Sequence, residues 1–155
     1  MDQAPLRKHL RRLLDWKDAH ANFDAAVAGL PSELRGVQPA GLPYSAWQLI
    51  EHIRLAQQDI LEFCVDPGYR ERSWPDDYWP SSPAPQGNEW EQSIAGFHAD
   101  LKALEKLAGE AELFDRIPHG TGQTYLRELL LVADHNAYHV GQLVLVRRLL
   151  GAWPG

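Results

Sequence analysis

Tyr44-Ser45-Ala46-Trp47-Gln48-Leu49-Ile50-Glu51-His52-Ile53-Arg54-Leu55-Ala56-Gln57-Gln58-Asp59-Ile60-Leu61-Glu62-Phe63-Cys64 is the stretch that decides the fold class. Ser45 supplies a side-chain oxygen for the free N–H groups of a helix start, and Gln48, three residues on, can reach back to the Ser45 backbone, which together make a capping box. Tyr44 and Leu49 flank it as a hydrophobic staple. Behind this start, Leu49, Ile53, Ala56, Ile60 and Phe63 recur at helical spacing and form one apolar stripe. The helix is predicted to reach Cys64, with Pro67-Gly68 ending it.

The same reading extends outward. A first helix is predicted over about Leu6 to Ala28, with Leu6, Leu10, Leu13, Trp16, His20, Phe23 and Val27 on one face and Gly29 and Pro31 as its stop. A third starts near Asn88, with Asn88 capping and Glu91 reaching back, and carries Ile94, Phe97, Leu101, Leu104 and Leu107 to a stop at Gly109. The fourth runs from about Thr124 to Leu150 and is closed by Gly151 and Pro154. No segment alternates with period two. The expected class is therefore all-α, a four-helix bundle in one domain over residues 1–155.

The connection between the second and third helices, Asp66 to Gly87, contains five prolines together with Tyr69, Trp74, Tyr78 and Trp79. It exceeds the short turn a minimal bundle needs. Two readings stay open: Trp74 and Trp79 pin the loop to the bundle, or the loop is a flap over a site at the bundle mouth.

Composition narrows the function classes. The 155 residues carry 21 acidic against 15 basic side chains, a net charge of −6, which argues against a protein that follows a phosphate backbone. One cysteine rules out an internal disulfide framework and any Cys-rich zinc or iron–sulfur site. Cys64 reads as a small buried filler on its helical stripe. Met1 to Lys8 has no apolar run, and no segment offers the roughly 20 apolar residues of a membrane span, so a cytoplasmic protein is expected. The seven histidines are left as the metal-binding chemistry the chain could support.

Ala133-Asp134-His135-Asn136-Ala137-Tyr138-His139-Val140-Gly141-Gln142 concentrates that chemistry. His135 and His139 are four apart on a helix, with Cβ atoms about 5–6 Å from each other, so both imidazoles can converge on one cation. They share their face with Val132, Leu143 and Val146, which points them inward. The pair alone is a weak signal, since paired histidines more often rest on hydrogen bonds to neighbouring helices. His52 lies beside the stripe of the second helix and can project inward too. His20 lies mid-stripe on the first helix, whereas His9, His98 and His119 have no assigned chemistry. Glu128 and Asp59 lie too far along their helices to join one ion with these histidines, and the Glu-x-x-His signature of di-iron bundles is missing. Any site is expected to be mononuclear.

Ser45-Ala46-Trp47-Gln48-Leu49-Ile50-Glu51-His52-Ile53, followed by Asp134-His135-Asn136-Ala137-Tyr138-His139-Val140-Gly141-Gln142-Leu143, resembles the DinB-like family, also called DinB/YfiT. The resemblance extends over nearly the whole chain, including the Trp74-Pro75 to Trp79-Pro80 loop and Gly122-Gln123-Thr124. It implies a four-helix bundle with a three-histidine metal site, and carried over residue by residue the ligands are His52, His135 and His139. Three neutral imidazoles leave open positions on the ion, which is the pattern of catalytic rather than structural sites. Zinc suits the donor set on softness, with nickel, iron and manganese as alternatives. Gln142, on the His139 face, and His20 are candidate supporting residues, with Asp24 and Tyr138 as weaker ones.

Relatives of the family include transferases that use low-molecular-weight thiols such as bacillithiol or mycothiol. The resemblance thus implies metal-assisted S-transfer on a small-molecule substrate, with Arg54, Arg70 and Arg72 available to an anionic thiol. The alternatives are a non-catalytic, stress-associated metal-binding bundle and a metal-dependent hydrolase. A homodimer is a further expectation, with Trp47, Trp153 or the aromatic loop at its interface.

Overall fold

The computed structural model describes residues 2–154. The helices are α1 (Ala4–Leu14), α2 (Phe23–Val27), α3 (Ala46–Val65), α4 (Glu89–Glu110) and α5 (Tyr125–Leu149), with single 3₁₀ turns at Ser32–Leu34 and Asp76–Tyr78. No strand occurs among the described residues, so the fold is an all-α bundle. None of the described helices is long and apolar enough to cross a membrane.

The capping box at Ser45 forms as read. Ser45 Oγ accepts from the Gln48 backbone N–H at 3.2 Å, and Gln48 Oε1 accepts from the Ser45 N–H at 3.0 Å. Thr124 likewise caps α5 by accepting from the Arg127 N–H at 3.2 Å. With these starts in register, α3 packs between α4 and α5, and α1 lies across α4 and α5. The stripes meet in a core where Leu49, Ile50, Ile53, Leu104, Leu143 and Val146 are fully buried. Each such side chain contributes about 1.5–3 kcal/mol relative to exposure. Cys64 sits in this interior at 4% exposure, and burial pushes its thiol up to about 12, so it behaves as an apolar filler.

Three expectations are corrected. The first helix is not continuous: it stops at Leu14, and the chain turns through Asp15–Asn22 before α2 begins. Asn22 caps α2 by accepting from the Ala25 N–H, and its Nδ2 donates to Asp15 Oδ1 at 2.8 Å, which ties the turn shut. The turn seats Phe23 flat on Phe97, with ring centroids 3.8 Å apart. It also brings the last carbonyls of α2 to Arg147, which donates to Ala26 O at 2.7 Å. A straight helix would forgo both contacts.

Asn88 occupies the N-cap position of α4 but makes no side-chain cap; instead Glu89 Oε2 accepts from the Gln86 N–H, and Glu91 pairs with Arg35 at 3.0 Å. Gly109 does not stop α4, which continues to Glu110. The glycine forms a notch beneath the Arg11 guanidinium of α1, where any Cβ would collide, and Arg7 satisfies the helix end by donating to the Ala108 and Ala111 carbonyls.

The connection between α3 and α4 is tied down around Asp59. Its carboxylate accepts from Tyr69 Oη at 3.0 Å and Tyr78 Oη at 2.7 Å, and Arg72 Nε approaches to 3.5 Å. Of the two tryptophans, Trp79 packs against the bundle while Trp74 is 70% exposed.

Candidate metal centre

His52 projects from the middle of α3, and His135 and His139 project from consecutive turns of α5. The packing of α3 on α5 brings their rings together. His52 Nε2 lies 3.1 Å from His139 Nε2 and 3.2 Å from His135 Nε2, and one ring nitrogen from each residue falls within 4.8 Å of the others. His52 is 2% exposed, and the other two are half-buried.

The partners of the outer nitrogens set the chemistry of the inner ones. His52 Nδ1 is 2.9 Å from the Tyr78 carbonyl, which can only accept, so Nδ1 carries the proton and Nε2 of the neutral ring is a lone pair. His139 Nδ1 donates to Gln142 Oε1 at 2.7 Å, with the same consequence. Two lone pairs therefore face each other at 3.1 Å, and in these tautomers no hydrogen bond forms between the His52 and His139 rings. A divalent cation taking the lone pairs of all three Nε2 atoms would relieve this, and carbonyl oxygens on the outer nitrogens are the usual way a metal-binding imidazole is oriented. The residues present fit the ion.

Electrostatics points the same way. Burial holds all three imidazoles below the ordinary histidine value. His135 falls to about 4 through burial first and then through His139 and His52, and His139 falls to about 4 through burial and then His52. At neutral pH the rings are thus uncharged, the form that binds metal.

Two aromatic side chains complete the site, one from the long loop and one just before α3. Trp79 stacks on the His52 ring with centroids 4.0 Å apart and planes 2° from parallel, and Tyr44 stacks beyond it at 6.3 Å. Sequence reading left the aromatic loop either pinned to the bundle or a flap over a site at its mouth. It missed that the Tyr78 carbonyl selects the His52 tautomer, because a backbone acceptor has no residue signature.

The remaining candidates fall elsewhere. His20 is in the turn after α1, exposed, with Nδ1 near the Ala21 carbonyl, so its expected place on a helix stripe is corrected. Asp24 pairs with His98 at 3.0 Å. Tyr138 is 64% exposed and presents its ring edge-on to His139. Glu128 is buried and paired with Arg127 at 2.7 Å. Arg54 is held by Glu51, and Arg72 by Asp59 and Glu62. Trp47 is buried at 4% exposure and Trp153 lies under Arg147, so Trp47 is withdrawn as a dimer contact.

An all-α bundle carrying three inward histidines from two of its helices is a bundle built around a potential metal site. The family model described as the DinB superfamily matches residues 15–143, and the chain belongs to that superfamily. No curated protein and no solved structure matches it significantly.

Proposed function

We propose that the protein binds one divalent ion through His52, His135 and His139 and uses it in thiol S-transfer to a small electrophilic substrate. The observation that carries the metal reading is the meeting of Nε2 lone pairs, with the outer nitrogens of His52 and His139 committed to carbonyl oxygens. When bound, a divalent ion lowers the proton affinity of a coordinating thiol and so supplies the thiolate form of a nucleophile at neutral pH. Zinc suits three imidazoles, and nickel, iron or manganese compete according to availability.

In this reading the chain's own residues have distinct tasks. The Tyr78 carbonyl and Gln142 orient two of the ligands. Trp79 covers the face of His52, and Tyr138, exposed beside His139, offers an aromatic rim for substrate. Membership of the DinB superfamily supports metal-dependent function in general, and S-transfer is the finer step proposed here. Hydrolysis is less well supported because Asp59 and Glu128, the carboxylates about two turns along the helices from His52 and His135, are both committed to other partners.

The test is metal analysis of protein purified without chelators, followed by turnover assays with several bacterial thiols and a reactive electrophile. Near-stoichiometric metal and turnover above a His135→Ala/His139→Ala control are expected. Absence of both metal and uptake on titration would refute the metal reading, and bound metal without turnover would refute the transferase reading. A second reading, a non-catalytic ion fastening α3 to α5, is favoured by the flat cover of Trp79 on His52. It predicts a large fall in melting temperature on chelation and no turnover.

A further inference from the structure

The described helices contain Gly96 and Gly109, both in α4, and Gly141 in the middle of α5. A glycine weakens a helix relative to alanine, so its place in one calls for a reason in packing. In α4 that reason is visible, because another helix uses the space. A Cβ at Gly96 would lie 2.9 Å from Arg54 Cδ of α3, and one at Gly109 would collide with the Arg11 guanidinium of α1. At Gly141 a Cβ would meet nothing within 4 Å, and the residue is exposed. Nothing within the protomer uses the room this glycine leaves.

The surface around Gly141 is complementary to itself. Ala137, Gly141 and Leu145 are four apart and form one ridge of α5; all three are exposed, Leu145 by 46%. Asp134 and Arg148 stand seven residues before and after Gly141, about 10.5 Å along the axis in each direction and roughly 20° around it. Both are exposed, and neither has an ion-pair partner among the described residues. A parallel copy of α5 would set like charges against each other. An antiparallel copy, related by a two-fold axis at Gly141, sets each Asp134 opposite an Arg148 and each Ala137 opposite a Leu145. The seven-residue spacing suits a shallow left-handed crossing, and the glycine lets the two backbones approach where they cross. The chain as a whole carries −6, which opposes self-association, but this ridge holds one charge of each sign.

We propose that the outer face of α5 is an interface between two copies of this chain, packed antiparallel across Gly141 with Asp134 of each copy paired to Arg148 of the other. This face differs from the tryptophans and the aromatic loop considered for a homodimer above. A second copy is the occupant because the complementarity is internal to one ridge: acid and base, small and large side chain, fall at mirrored distances from a single glycine. His135 and His139 lie roughly 120° and 160° around the helix from Gly141. The pairing therefore needs no metal and does not rest on the three-histidine reading.

Sedimentation velocity across micromolar concentrations reads the assembly, with a chelator present so that no metal bridges two copies. The wild type should be a reversible dimer. Asp134→Arg and Arg148→Asp each set like charges opposite one another twice, and each should weaken the dimer roughly 10-fold or more. The double variant Asp134→Arg/Arg148→Asp should recover the wild-type association. Gly141→Gln substitutes a better helix former that blocks the close approach, so the thermal midpoint of the dilute monomer should hold or rise while the dimer is lost. That combination separates an interface from damage to the fold. A wild type that stays monomeric over the whole range would overturn the proposal. So would a dimer indifferent to Gly141→Gln, or a double variant that associates no more tightly than the single reversals.

Discussion

Acidifying the metal-free protein from pH 7 to pH 4 should remove about 3 kcal/mol of stability through His135 and His139. In the unfolded chain both titrate near 6.5, whereas in the folded protein both are held at about 4. Between these values the unfolded chain takes up protons that the folded protein refuses. The unfolded state then binds more protons, so stability rises with pH across this window and is lost as pH falls through 6.5 towards 4. Each pH unit of separation is worth about 1.4 kcal/mol, giving an upper bound of about 3.4 kcal/mol for each imidazole. Both rings are only half-buried, and solvent screening reduces this to about half for each. His52, also lowered by burial, adds in the same direction. Asp100, raised by burial, acts with the opposite sign at lower pH, so a difference measurement isolates the histidines. Urea unfolding followed by far-UV circular dichroism, in chelator-treated protein from pH 7.5 to 4, should show a steeper acid limb for the wild type than for His135→Gln/His139→Gln. Parallel curves for the two proteins would refute the account of the cluster as neutral imidazoles compressed by burial.

The loop and the turn after α1 give two further expectations. Asp59→Ala removes acceptors from Tyr69, Tyr78 and Arg72, and bonds to a charged group are worth about 1.5–3 kcal/mol each, so a loss of about 2–4 kcal/mol in urea unfolding is expected. Because Tyr78 also presents its carbonyl to His52, limited proteolysis within residues 66–88 and weaker metal binding should accompany that loss. Arg147 is 2% exposed, with partners that are the carbonyls of Ala25, Ala26 and Ala152. Arg147→Met leaves those oxygens unmatched and should lower stability by about 3–5 kcal/mol, or the thermal midpoint by roughly 10 °C, as read by calorimetry. A shift under 2 °C would show that the carbonyls find other donors.

Local chemistry made much of the bundle legible. Ser45 and Gln48 sit three apart and close on each other whatever surrounds them, and Thr124 caps α5 through its own hydroxyl. The four-residue spacing of His135 and His139 requires only a helix to bring the rings together, and the apolar stripe beside His52 correctly turned it inward. Long-range contacts defeated the same logic at the first helix. A continuous stripe from Leu6 to Val27 is consistent with one long helix, and only the stacking of Phe23 on Phe97 and the reach of Arg147 to α2 make the broken path better. Gly109 read as a stop because glycine ends helices often, yet here its missing side chain makes room for Arg11. Trp47 read as exposed because large aromatics at a helix start carry no burial label of their own.

The sequence by itself determined the all-α class, most helix limits and the three histidines that face inward, because helix periodicity and capping act over three or four residues. Tertiary structure alone decided which ring nitrogens meet. That depends on the Tyr78 carbonyl delivered by a loop 26 residues downstream of His52, just as the Gln57 amide, donating to the Phe97 carbonyl and accepting from Asn136, takes its direction from three packed helices. A hydrogen-bond acceptor on the backbone, or an amide whose direction is set two contacts away, exists only once the helices have packed.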